Sequence, residues 1–254
     1  MPDVRTIDEV IEQLDRIIAT ETAERSRLGL FAAMYRQVTL RVKQRIADGF
    51  FDDGPRMERL DVRFASRYFD ALATWRAGGA PSRCWKLALE ASHRTDLVIL
   101  QHLLLGMNAH INFDLAIAAA TLFPDGALPA LRADFDRISQ ILAGMIREVS
   151  RVLDRFSPML KLIDRFDNAS EDAVVNFSIR AARDDAWQHA ALLAEEPPEQ
   201  QRVTIEIIDA KTTFLGRLIA EPGRMLTALL DAVYLQESDD IAAVIQALNA
   251  ITAG

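Results

Sequence analysis

The chain has 254 residues, half of them apolar, and a formal net charge of −8. That is apolar material for one sizeable core, so a single domain over 1–254 is expected. The acidic balance, with no basic run to track a phosphate backbone, argues against nucleic acid. Cys84 is the only cysteine, which excludes an intrachain disulfide and favours a reducing cytoplasm.

The N-terminal MPDVRTIDEV is acidic and has no apolar h-region, so no signal peptide is expected. Thr6 with Glu9 forms a capping box for a helix from Ile7 to about Thr20. A second helix, from about Ser26 to Asp48, is closed by Gly49 and buries Leu28, Phe31, Tyr35, Val38, Thr39 and Val42. The turn FFDDGP leads to a third helix, Arg56 to Ala77. On it Asp61 shares a face with Phe64, Tyr68, Leu72 and Trp75, while Arg59, Arg63, Arg67 and Asp70 form an opposite, solvated face. Asp61, a carboxylate on an apolar stripe, needs a partner or its pKa rises. Pro81 opens a shorter helix running to His93.

The stretch Asp96–Phe123, DLVILQHLLLGMNAHINFDLAIAAATLF, is long enough for six or seven helical turns. It is apolar almost all round, the mark of a buried helix. Yet it carries Gln101, His102, Asn108, His110, Asn112 and Asp114. Each unpartnered polar group in a core costs about 1–3 kcal/mol, so something must face them. On a helical wheel Gln101, Asn108 and Asn112 fall within roughly 40° of each other. His110 and Asp114 stack one turn apart on another side, with His102 between the two groups. Its length would span a bilayer, but this polar content makes a membrane span expensive, and none is expected.

FPDG ends this helix, and a long one follows from Pro129 to Phe156. A short piece runs from Pro158 to Phe166. Asn168 or Ser170 caps a helix ending at Glu195, with Asn176, Ile179, Arg183, Trp187 and Ala190 on one face. Arg183 is thus a cation on an apolar stripe and a natural partner for Asp61 or Asp114. Two or three further helices follow Pro197-Pro198, interrupted at Glu221-Pro222-Gly223. No stretch alternates with period two. The expected fold is therefore all-α, a bundle of about ten helices around the central one. The apolar segment Ile241–Ile251 could serve a homodimer contact.

The pair His110 and Asp114, at i and i+4, has three readings. It is a core histidine held by a carboxylate, a general base oriented by one, or two ligands of a divalent metal that His102 and Asp61 would complete. No HExxH, Walker loop, GxGxxG or GxSxG is present, and Cys84 beside Trp85 reads as packed.

The segment QHLLLGMNAHINFDLAIA (Gln101–Ala118) resembles a signature of an uncharacterised bacterial family of all-helical proteins. FAAMYRQVTLRV (Phe31–Val42), MERLDVRFASRYFDAL (Met57–Leu72) and ARDDAWQHAALL (Ala182–Leu193) support the resemblance, which covers most of residues 31–193. It implies a fold and no reaction. It also implies that Tyr35, Asp61, Tyr68, Asn108, His110, Asp114, Arg183 and Trp187 belong to one shared core arrangement.

The functional expectation is an enzyme acting on a small, largely apolar molecule by proton transfer, such as isomerisation, cyclisation or hydrolysis. In it His110 is the acid/base and Asp114 its orienter, with Asp61 and Arg183 in the catalytic set. Asn108 or Asn112 holds a substrate oxygen, and Tyr35, Tyr68 and Trp187 line the pocket. No cofactor is expected. A metal-dependent enzyme and a non-catalytic lipophilic-ligand binder or scaffold are the alternatives.

Overall fold

The computed structural model describes residues 4–124, 126–160 and 179–251. Among them there is no strand, and the fold is an all-α assembly of packed helices. The first helices begin where the sequence supplies caps. At α1 (Ile7–Ala23) the reciprocal bonds of the Thr6–Glu9 capping box are both made. α2 (Leu28–Ala47) follows. Asp53 accepts from Arg56 N at 2.9 Å to start α3 (Gly54–Arg76), with Pro55 in its first turn. Gly78, at φ +74°, ends α3 in a conformation that a side chain would strain.

α4 (Arg83–Ala91) starts two residues later than Pro81 suggests, because Ser82 is still extended. Its first free N–H groups, of Arg83 and Cys84, both donate to the Asp209 carboxylate at 2.9 Å. A side chain on a distant helix thus caps α4, which no local pattern announces.

The central stretch is one rod in three pieces: α5 (Ile99–Asn108), a π-helical turn Ala109–Asp114, and α6 (Leu115–Leu122). In the π turn Leu115 N–H reaches back five residues to His110 O. Helices wrap this rod on every side: α2, α4 and α9 meet α5, while α3 and α8 meet α6. Its span Ile99–Leu122 is apolar and long enough to cross a membrane, but its most apolar 18-residue window is 94% buried inside the protein, as for a core helix.

A 3-10 turn at Leu128–Leu131 leads into α7 (Arg132–Phe156), and Ser157 leads to a 3-10 turn at 158–160. The piece expected up to Phe166 and the caps at Asn168 or Ser170 lie outside the described residues. α8 (Ile179–Glu195), α9 (Pro198–Ala220), α10 (Arg224–Tyr234) and α11 (Ile241–Asn249) complete the chain. Buried apolar side chains form one cluster from Val4 to Leu248.

The apolar side of the C-terminal helix packs within the chain. Ile241, Val244, Ile245 and Leu248 of α11 are buried, and the helix packs on α1, α2 and α7. The fit is close: a Cβ on Gly29 of α2 would lie 2.6 Å from Ile245 Cδ1.

Candidate functional site

The rod presents its two polar sides to different neighbours. The amide side meets α9. Gln101 Nε2 donates to Ile219 O at 2.8 Å, Asn108 Nδ2 to Thr212 O at 2.9 Å, and Asn112 Nδ2 to Asn108 Oδ1 at 3.0 Å. These amides join helix to helix, and their donors are spent on protein acceptors.

The other side carries His110 and Asp114 towards α2, α3 and α4. Asp114 is 1% exposed, and its two oxygens take three donors. Arg67 Nε donates to Oδ1 at 2.9 Å, while Trp85 Nε1 donates to Oδ2 at 2.7 Å. His110 Nδ1 lies 3.2 Å from the same Oδ2. A carboxylate that accepts from Arg67 and Trp85 is the acceptor here as well, so the imidazole proton is assigned to Nδ1. That leaves Nε2 as a bare lone pair.

Aromatic rings enclose this imidazole. Phe64 stacks on it with centroids 3.5 Å apart, and Tyr35 meets it edge-on at 4.5 Å. Phe31, Trp85 and Tyr68 follow at 5.6, 6.1 and 6.2 Å. Burial pulls the His110 pKa below the usual range against the opposing pull of Asp114, so the ring is neutral. Among the described residues His110 Nε2, Tyr35 Oη and Asp61 Oδ2 are buried without a hydrogen-bond partner. Such orphans call for an explanation. Burial, and then the neighbouring Glu58 charge, push Asp61 up to about 7. Burial and the charges of Asp61 and Asp114 raise the Tyr35 phenol well above its ordinary value.

A cleft of about 230 Å³ opens beside this network, between α3 and α4. Arg67, Asp70, Ala71, Thr74, Pro81, Ser82, Trp85, Phe113 and Asp114 line it. Asp114 and Trp85 therefore belong to both cleft and network. His110, Tyr35, Tyr68 and Asp61 are not among the lining residues, and neither are Asn108 and Asn112.

Two expectations about charge are corrected. Arg67, assigned to a solvated face with Arg59, Arg63 and Asp70, turns inward and holds Asp114; the other three are exposed. Its guanidinium lies over the Phe113 ring at 5.4 Å, which steadies the turn. Arg183 pairs with neither Asp61 nor Asp114. It donates to Phe135 O at 2.5 Å and Ser139 Oγ at 3.2 Å, with its guanidinium 4.3 Å over the Phe135 ring. Trp187 packs on the same Phe135 at 5.0 Å. Arg183 and Trp187 thus serve the α7–α8 contact, apart from the group around His110, and the eight residues expected in one arrangement divide into separate clusters.

The metal set does not assemble either. Among the described residues no group of three or more His, Cys, Asp or Glu is placed to hold an ion. His102 lines a separate small cavity of about 20 Å³ with Arg27, Phe31 and Ser92. Burial, reinforced by Arg27, lowers its pKa to about 3. Arg67 already supplies the positive charge that Asp114 needs.

Arg67 and Trp85 are partners of Asp114 that helical spacing does not announce. One signal for the tryptophan existed: a buried indole N–H needs an acceptor, and Asp114 is a carboxylate in the buried stretch.

The class these features define is an all-helical protein with a buried histidine held by a carboxylate against a partly polar cleft. The chain belongs to a family of unknown function (DUF5995), whose family model matches residues 7–222. The match reaches well beyond the 31–193 covered by the resemblance, and takes in α1 and the whole of α9. No curated protein and no solved structure matches the chain.

Proposed function

We propose that the protein is an enzyme that admits a small, largely apolar molecule to the α3–α4 cleft and moves a proton on it with the His110–Asp114 pair. Isomerisation, cyclisation and hydrolysis are reactions of this kind. One observation carries the reading: Asp114 is at once part of the cleft wall and the anchor of His110. A neutral imidazole whose Nδ1–H is held by a carboxylate keeps its Nε2 lone pair as a base. Arg67 and Trp85 fix the carboxylate, and the aromatic shell keeps water from the imidazole. Trp85 lines the cleft, and its ring centroid stands 6.1 Å from that of His110.

The test is a thermal-shift screen of small apolar carbonyl, alcohol and ester compounds. Compounds that use the cleft raise the melting temperature of the native chain and not of Ala71→Trp, which fills it. Binders indifferent to Ala71→Trp would defeat the reading.

Non-catalytic binding has an observation of its own: His110 is 2% exposed and absent from the cleft wall. On that reading the pair only fixes the register of α3, α4 and the rod. A cleft ligand left chemically unchanged by the native chain would favour it.

A further inference from the structure

The α3 wall of the cleft carries two opposite charges that the chain does not match with each other. Arg67 and Asp70 stand at i and i+3, a spacing at which opposite charges on a helix are neighbours and pair. Here they do not, because Arg67 turns inward and spends its Nε on Asp114 Oδ1 at 2.9 Å. Its two outer nitrogens have no partner among the described residues, and its side chain is 23% exposed. Asp70 is exposed and has no partner among the described residues either. Both line the cleft of about 230 Å³. Asp114, the third charge of the lining, is taken up by Arg67, Trp85 and His110. Ala71, Pro81, Trp85 and Phe113 make much of the remaining lining apolar. A cavity of about 150 Å³ with apolar walls takes up benzene, so this cleft has room for one ring or branched chain with a short polar head.

We propose that the molecule of the cleft is a small zwitterion with an apolar body, by chemical class an apolar α-amino acid. Its carboxylate meets the outer nitrogens of Arg67, and its ammonium meets Asp70. A guanidinium offers a carboxylate parallel N–H bonds that fix its orientation. A carboxylate alone would set a third acid beside Asp70 and Asp114 against one cation. An ammonium alone would leave Arg67 facing a like charge. An uncharged molecule would cover both charges and pair neither, at the cost of their water. A zwitterion meets each charge with its opposite. This assignment rests on the cleft being the binding site and names what enters it.

Titration calorimetry with four probes that share a phenyl body tests it: phenylalanine, 3-phenylpropanoate, 2-phenylethylamine and 2-phenylethanol. Phenylalanine should bind most tightly, and each of the others about tenfold or more weakly, the loss of a hydrogen bond to a charged group. Asp70→Asn, a change at an exposed position, should weaken phenylalanine by about the same factor and leave 3-phenylpropanoate bound as tightly as before or more tightly. Ala71→Trp should abolish binding of all four. The zwitterion is overturned, and the cleft left standing, if 2-phenylethanol matches phenylalanine and is lost in Ala71→Trp. It is overturned too if phenylalanine does not bind, or binds Asp70→Asn as well as the native chain. Probes that bind Ala71→Trp unchanged would remove the cleft itself, and this assignment with it.

Discussion

Asp61 is a carboxyl on an apolar stripe with one oxygen unpartnered and a titration point pushed up to about 7. In the unfolded chain it titrates near 3.8. The folded state therefore disfavours ionisation, and this group's stabilising contribution is lost as pH rises from about 4 through about 7, by at most about 1.4 kcal/mol per unit. The buried histidines act in the opposite sense, losing stability as pH falls below their ordinary 6.5. Comparing Asp61→Asn with the native chain cancels the histidines. In urea unfolding the variant should gain on the native chain as pH rises across that window; a constant difference would show that Asp61 titrates normally. Arg67 poses a second test. Arg67→Ala leaves the buried Asp114 charge without its cation and should cost about 3 kcal/mol, the lower end for a broken buried pair because Arg67 is itself partly exposed. The same change at Arg183 should leave any ligand binding in the cleft intact, since that cation serves α7. Helical spacing alone put His110 one turn from Asp114 and put Tyr35 and Tyr68 on buried faces. It chose Arg183 as the cation and left Arg67 in solvent, because spacing does not show which neighbour turns an arginine inward.

At the scale of the element, the rod's polar sides were legible and its π turn was not. A stripe of amides shows in a helical wheel; a shift from four-residue to five-residue hydrogen bonds within a single turn leaves no periodicity to detect. That turn holds both His110 and Asp114, and π turns recur at functional sites. Just before it, Gly106 allows α2 to come close: a Cβ there would lie 2.6 Å from Phe31 Cγ. Phe31 stacks on Tyr35 and meets His110 edge-on. Gly106→Ala should therefore destabilise by about 1–3 kcal/mol through overpacking, despite the better helix propensity of alanine. Thermal unfolding checks it, and an unchanged or higher melting temperature would mean that Phe31 moves freely. The late start of α4 was illegible for a related reason: its cap, Asp209, arrives from α9, 125 residues away from Cys84 in sequence.

In the molecule as a whole, the rod, α2, α3 and α4 build the network and the cleft, while α8 and α9 close the other sides. All-helical architecture and a buried central helix follow directly from composition and period, so the fold was readable before any contact was known. The cleft was not, since it arises from the spacing between α3 and α4 and the inward turn of Arg67. The central claim is that His110 moves the proton and does more than hold helices together. It is tested most directly by the turnover of a cleft-binding compound in His110→Gln, with folding and affinity measured alongside. Loss of general acid–base catalysis should lower kcat by about 10²–10⁴-fold with affinity little changed. Undiminished turnover in the folded variant would contradict the account.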